Sequence, residues 1–170
     1  MILDGFRKTN VRKKITRELL KNNSLKADTS QKIDSILILV NENSIINLDQ
    51  IISKRINIDV SKVATIFFKD MNGSDSNLEE RLTEKDFSLF GNLKNEAFEK
   101  LIQTKFDLLL NYTEGNLYLN YVTAFSKAAF KVGLQYNQQQ LFDLKIEVEK
   151  GEVDVFHGEL VKYLKILNKI

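Results

Sequence analysis

The stretch FDLLLNYTEGNLYLNYVTAFSKAAFKVG, residues 106–133, decides the fold that the sequence predicts. Residues 106–110 form an apolar run with a single aspartate, which favours a strand covered on both faces. Turn-forming residues follow at 111–115, and apolar side chains then recur at helical spacing over 117–128. A second short strand is predicted at 131–133. The stretch therefore predicts a β-α-β unit, in which a helix connects two parallel strands.

The same alternation of strands and helices extends over the rest of the chain. Apolar runs predict further strands near residues 33–40, 63–69 and 142–148, with a short edge strand at 87–90. Helical patterns lie at residues 2–22, 45–56, 95–104 and 155–170. The alternation predicts a three-layer, Rossmann-like α/β domain, with a mainly parallel sheet of five to six strands and helices on both faces. The expected strand order is 3-2-1-4-5-6.

The domain organisation follows from breaks in this pattern. Residues 1–30 are predicted to be a basic N-terminal helix and a linker, and residues 31–170 a single α/β domain. The polar stretch at 71–84 lacks apolar periodicity and is predicted to be a long surface loop.

The composition excludes several classes of protein and site. The chain has no cysteine, which excludes disulfides, thiolate catalysis and zinc–thiolate sites. No apolar run approaches the ~20 residues of a transmembrane helix, and no secretory signal is recognisable at the N-terminus. We therefore predict a cytoplasmic protein. The abundance of Asn, Ile and Lys indicates a bacterial genome rich in A and T.

The charge is concentrated at the N-terminus. Residues 1–21 hold seven basic and two acidic side chains, a net charge of +5, whereas the remaining residues together carry −3. Within the predicted helix at 2–22, Val11, Ile15 and Leu19 form an apolar stripe, and the cations are spread around the axis. Membrane-surface helices segregate their charged and apolar faces more cleanly. We therefore predict that the stripe docks on protein, either on its own domain or in a homo-oligomer, and that nucleic acid is not the partner.

Few residues could support catalysis. His157 is the single histidine, it has no nearby serine, and we predict a structural or exposed role for it. The sequence lacks G-x-G-x-x-G and G-x-x-x-x-G-K-[ST], so no glycine lets the backbone approach a pyrophosphate after the first strand. Asp70 and Asp75 are the nearest approach to a carboxylate metal site, and a solvated loop explains them better. We predict no catalytic residue, no metal site and no cofactor.

A ligand site is predicted at the carboxyl edge of the sheet. In open α/β sheets, ligands bind beyond the carboxyl ends of the strands, where the strand order reverses. Polar residues collect there after the first and the central strand: Asn41, Asn43, Ser44, Asn111, Tyr112 and Asn116. They could hydrogen-bond a sugar or nucleotide, although the same residue types also form turns and helix caps. Asp107 and Asp143 lie at the opposite ends of their strands and are predicted to be turn-facing polar residues.

Several short segments resemble those of known families. One set of segments comprises Asp86-Phe87-x-x-Phe90-Gly91, the Phe-Asp-Leu strand, Ser126-Lys127-Ala128, Lys131-Val132-Gly133 and Glu159 to Lys169. In these segments the chain resembles an uncharacterised family of short bacterial proteins, which implies no established activity. Residues 106–133 also resemble the N-terminal Rossmann half of heptosyltransferase-type glycosyltransferases. That likeness implies a half-domain that binds a nucleotide or sugar together with a partner chain.

Three functions follow as expectations. The first is a non-catalytic module that binds a small polar ligand or a protein through the carboxyl edge of the sheet. The second is the glycosyltransferase-like half-domain. In the third, the basic N-terminal arm tethers the domain to nucleic acid or to a membrane surface.

Overall fold

The computed structural model describes residues 2–22, 32–42, 47–69, 81–134, 139–149 and 151–170. The helices are α1 (Ile2–Asn22), α2 (Leu48–Ile56), α3 (Glu96–Gln103), α4 (Leu117–Phe125) and α5 (Val153–Ile166). The strands are β1 (Ile36–Asn41), β2 (Val63–Phe68), β3 (Arg81–Leu82), β4 (Leu108–Asn111), β5 (Phe130–Leu134) and β6 (Leu144–Ile146). Within these residues, no helix is long and apolar enough to cross a membrane.

The six strands form one parallel sheet in the order β3-β2-β1-β4-β5-β6. Both the parallel pairing and the strand order are confirmed. All four residues of β4 are buried, as are the first five of β1. Strands buried on both faces read as continuous apolar runs, which is why residues 106–110 predicted this fold.

Helices cover both faces of the sheet and enclose two apolar cores. One core joins Leu37 and Leu109 of the sheet to side chains of α1, α3 and α4. The other joins Ile38 and Leu110 to side chains of α2 and α5. Because successive residues of a strand point to opposite faces, each central strand contributes to both cores. The predicted three-layer arrangement is therefore confirmed.

The prediction of an edge strand at 87–90 is wrong. Phe87 forms only an isolated antiparallel bridge with Leu93, and the chain between them turns back on itself. The edge strand is β3, which pairs with Phe67 and Phe68 of β2 and falls inside the predicted loop at 71–84. Strand β3 has only two residues and begins with an arginine, so its sequence shows no strand pattern. Phe87 is apolar because it packs in the core, where it is 1% exposed. Residues 70–80 lie outside the described part of the chain.

Helix α1 docks on its own domain, as the apolar stripe predicts. Val11 is 0% and Ile15 2% exposed, and both belong to the core that includes α4. The helix rests on the turn after Phe87, where Asn10 Nδ2 donates a hydrogen bond to the Leu89 carbonyl at 2.9 Å. Gly91 has φ +76°, and a Cβ there would lie 2.8 Å from the backbone of α1. Only glycine permits this turn and this approach together.

Two aspartates at the amino edge of the sheet link neighbouring strands. The Asp107 carboxylate accepts hydrogen bonds from the Asp34 and Ser35 amides, at 3.0 and 2.9 Å, and from the Ser35 hydroxyl at 2.8 Å. Asp143 accepts from the Lys131 amide at 2.8 Å. Both were predicted to be turn-facing polar residues, but each instead bonds the amino end of a neighbouring strand.

Candidate ligand site at the carboxyl edge of the sheet

The strand order reverses between β1 and β4. The chain leaves β1 for α2 on one face of the sheet and leaves β4 for α4 on the other, since Ile52 and Leu119 belong to different cores. The two helices diverge from neighbouring strand ends, and such a divergence opens a crevice outside those ends. The candidate site is therefore the surface between the carboxyl ends of β1 and β4.

Asn41 and Asn116 meet across this surface. The Nδ2 group of Asn116 donates a hydrogen bond to Oδ1 of Asn41 at 3.0 Å, and the contact is exposed. Asn116 is also the N-cap of α4, because its Oδ1 accepts from the amides of Tyr118 and Leu119 at 3.0 and 3.1 Å. The cap fixes one partner of the pair, and the end of β1 fixes the other.

Asn111 is buried beneath the turn that carries these groups. Its Nδ2 donates to the Thr123 hydroxyl at 3.0 Å and to Asn120 Oδ1 at 3.5 Å, while its Oδ1 accepts from the Thr113 amide at 2.9 Å. The residue is 0% exposed. Its observed contacts join the end of β4 to α4 and so hold the turn that leads to Asn116.

Tyr112 points to the other face of the sheet and pairs with His157 of α5. The Tyr112 hydroxyl lies 2.9 Å from His157 Nε2, and its ring packs edge-on against Phe156 with 5.1 Å between centroids. His157 is 1% exposed, and its Nδ1 has no hydrogen-bond partner among the described residues. Of the two roles predicted for His157, structural or exposed, its burial excludes the exposed one.

Burial sets the protonation of this pair. Desolvation, reinforced by the nearby Arg55 guanidinium, lowers the pKa of His157 to about 4. Desolvation also raises the pKa of the Tyr112 hydroxyl well above its usual value. Both side chains are therefore neutral near pH 7, and one of them donates to the other.

A charged cluster flanks the site on the side of β2. The Glu42 carboxylate, just after β1, pairs with the Arg81 guanidinium and lies 3.8 Å from Lys69 Nζ. The Lys69 side chain is 9% and that of Glu42 22% exposed, so solvent screens these charges only in part. Among the described residues, this cluster joins two cations to one carboxylate.

A family model matches residues 7–167, nearly the whole chain. The chain belongs to DUF6913, a family of unknown function. No curated protein and no solved structure matched the chain. Membership of DUF6913 confirms that the chain belongs to an uncharacterised family, whereas the bacterial origin and the likeness to glycosyltransferases stay predictions. The DUF6913 match covers α1 from Arg7 onward together with the sheet and α5.

Of the six predicted site residues, the fold of this DUF6913 chain brings two into direct contact at the switch point. These are Asn41 and Asn116. Asn111 lies beneath them and Tyr112 faces α5, while Asn43 and Ser44 fall outside the described residues.

Sequence reasoning missed two pairings at this edge. His157, Leu160 and Leu164 share one helical face, and that spacing could have placed the imidazole inward towards the sheet. No local signal could have paired Glu42 with Arg81, because they come together only when β3 pairs with β2.

Proposed function

We propose that the protein is a non-catalytic module that binds a small polar ligand at the carboxyl edge of its sheet. The observation that supports this most is the hydrogen bond between Asn41 and Asn116, 3.0 Å long and exposed, at the switch point between β1 and β4. Two fixed amides at a crevice of this kind offer both donors and acceptors to a ligand.

The chemistry of the site favours a sugar or a nucleoside. Uncharged amide groups match hydroxyl, carbonyl and amino groups better than they match a full charge. Lys69 and Arg81, which both lie against Glu42, would accept a single anionic substituent on the side of β2. The turn after β1 begins Asn41-Glu42, without the glycine that close contact with a pyrophosphate requires.

The state of the titratable groups favours binding over catalysis. With a pKa of about 4, His157 is a weak general base at neutral pH, and its Nε2 is already bonded to Tyr112. The Glu42 carboxylate is already paired with the Arg81 guanidinium and lies 3.8 Å from Lys69 Nζ, so its contacts are those of an ion-pair cluster. Among the described residues, no group of three or more His, Asp or Glu could hold a metal ion.

The test is a ligand screen with a variant of the amide pair. We would record saturation-transfer NMR against monosaccharides, nucleosides, nucleoside monophosphates and nucleotide sugars. Asn41→Ala removes one amide without touching the α4 cap, so it should abolish binding and leave the melting temperature unchanged.

The matched control is Gln103→Ala. Gln103 is an exposed amide at the end of α3, close to the amino edge of the sheet, so its loss should leave ligand binding intact. The proposal fails if no member of the panel binds, or if Asn41→Ala binds as tightly as the unaltered protein does.

A further inference from the structure

Helix α1 buries one apolar stripe and contacts the turn after Phe87 through Asn10, and much of its remaining surface is open to solvent. Val11 and Ile15 are buried, and Leu19 packs against the same core. These three residues recur every four positions and so define a single stripe along the helix. Most of the other described positions of α1 are exposed.

The open surface carries cations that have no acidic partners. Of the seven basic residues of α1, Arg7 pairs with Asp4 at 3.4 Å and Lys21 with Glu18 at 3.7 Å. The other five form no ion pair with any described residue: Lys8, Arg12, Lys13, Lys14 and Arg17. Four of these five are exposed and Lys14 is half-buried. The helix therefore presents a concentrated positive charge outwards.

Large apolar side chains lie among these cations. Leu3, Phe6 and Leu20 are 61%, 51% and 67% exposed. Leu3, Phe6, Lys13, Arg17 and Leu20 follow one another at intervals of 3, 7, 4 and 3 residues. Each interval is close to a whole number of helical turns, so these five side chains share one face.

The turn that supports α1 adds a fourth apolar side chain. Phe90 is 71% exposed and directly precedes Gly91, where an added Cβ would lie 2.8 Å from the backbone of Asn10 and Val11, so its ring belongs to the turn beside α1. We define the outer face of α1 as Leu3, Phe6, Lys13, Arg17 and Leu20 together with Phe90.

We propose that the outer face of α1 binds the surface of an anionic lipid membrane. The unpaired cations match the phosphate and carboxylate headgroups of such a surface. Leu3, Phe6, Leu20 and Phe90 match the boundary between headgroups and acyl chains, which takes up leucine and phenylalanine side chains. Since Val11 and Ile15 stay packed on the domain, the helix lies along the membrane and holds the domain against it.

The apolar residues favour a membrane over nucleic acid as the partner. Phosphate backbones attract Lys and Arg but offer nothing to exposed leucines on a helix. Leu3, Phe6, Leu20 and Phe90 would remain in contact with water if the partner were a nucleic acid, whereas a membrane would bury them.

Docking of α1 on the domain also determines which of its charged and apolar side chains face solvent. In the sequence, the cations of α1 are distributed around the whole helix axis. The side of α1 opposite Val11 and Ile15 combines two unpaired cations, Lys13 and Arg17, with the exposed apolar side chains Leu3, Phe6 and Leu20. This composition is typical of helices that lie in a membrane interface.

The test begins with vesicle co-sedimentation of the full chain. We expect binding to phosphatidylcholine vesicles with about 30 mol% phosphatidylserine, and little binding to pure phosphatidylcholine. Binding should weaken when the ionic strength rises from about 0.15 M to about 0.5 M, since salt screens the headgroup charges.

Two double variants separate the outer face from the total charge. Lys13→Ala with Arg17→Ala removes two cations of the outer face and should weaken binding about tenfold or more. Lys100→Ala with Lys105→Ala removes two exposed cations elsewhere on the chain and should have little effect. Alanine preserves helix propensity in α1, so both variants should keep the fold.

A fluorescent reporter tests the orientation. The chain has no tryptophan, so Phe6→Trp introduces a single one on the outer face. Its emission should shift to the blue on anionic vesicles. The control is Tyr163→Trp, on helix α5 of the opposite layer, whose emission should stay unchanged.

Several results would overturn the proposal. They are absence of binding to anionic vesicles, equal binding to neutral ones, equal losses in both double variants, or blue shifts at both reporters. Nanomolar binding of DNA or RNA that is lost with Lys13 and Arg17 would assign the outer face to nucleic acid instead. A dimer that dissociates in Phe6→Ser would assign it to a second copy of the chain.

Discussion

At the scale of single residues, His157 and Tyr112 are the pair whose protonation is tied to folding. The imidazole is 1% exposed, and its pKa is about 4 in the folded protein against an ordinary value near 6.5. The unfolded chain therefore binds a proton more readily than the folded one. The stability that a neutral His157 maintains is complete above pH ~6.5 and is lost as the pH falls towards about 4.

We predict that the free energy of unfolding falls by about 1–3 kcal/mol between pH 7 and pH 4.5 because of His157. Urea titrations at several pH values would measure the slope, and His157→Gln is the matched variant, since it keeps a polar group without a titration in this range. The unaltered protein should lose more stability than the variant over this interval. Parallel slopes for the two proteins would show that His157 is not kept neutral by burial.

At the scale of elements, the docking of α1 depends on one glycine in the turn that follows Phe87. Gly91 and Gly115 both have positive φ, at +76° and +95°. A Cβ at Gly91 would lie 2.8 Å from the backbone of α1, whereas one at Gly115 would meet nothing within 4 Å. An added Cβ would therefore meet a helix backbone at Gly91 but not at Gly115.

We predict that Gly91→Ala loosens α1 and that Gly115→Ala does not. Both variants should lose about 1 kcal/mol or more from the unfavourable φ of alanine. Hydrogen exchange separates them, since amides of α1 should exchange faster in Gly91→Ala alone. Unchanged protection of α1 in that variant would mean that the turn and the helix can move apart at little cost.

At the scale of the whole molecule, one sheet joins two cores. Leu109 and Leu110 are adjacent in β4 and both 0% exposed, yet Leu109 belongs to the core under α4 and Leu110 to the core under α5. Both layers of helices pack on the same strands, so the loss of either layer would leave β4 covered on one face only. The two cores should therefore unfold together.

We predict that Leu109→Ala and Leu110→Ala each destabilise the protein by about 2–5 kcal/mol, because each leaves a cavity in a strand covered on both faces. Denaturant titration followed by far-UV circular dichroism and by tyrosine fluorescence should give one coincident transition for each variant. Leu20→Ala, at a residue 67% exposed, is the control and should change stability by about 0.5 kcal/mol or less. A loss below about 1 kcal/mol at Leu109, or two separate transitions, would contradict this description of the core.

The strand–helix alternation and the topology could be predicted from the sequence because their signals are local. The run at 106–110 is apolar since β4 is covered on both faces, and Val11 and Ile15 recur at helical spacing since one side of α1 is buried. The proximity of Asn41 and Asn116 could be predicted from the sequence for a similar reason. Both follow strands whose carboxyl ends meet wherever the sheet is parallel.

The rest was decided by tertiary structure, because it depends on contacts between segments that are distant in the sequence. The edge strand lies at Arg81–Leu82 since β2 offers a free edge there, while Phe87 is drawn into the aromatic cluster with Tyr118 and Tyr121. His157 becomes a neutral partner of Tyr112 only when α5 closes over β4. The spacing of apolar residues in a sequence shows which side of each helix or strand is buried. Which side chain each buried residue contacts is determined only when the layers pack together.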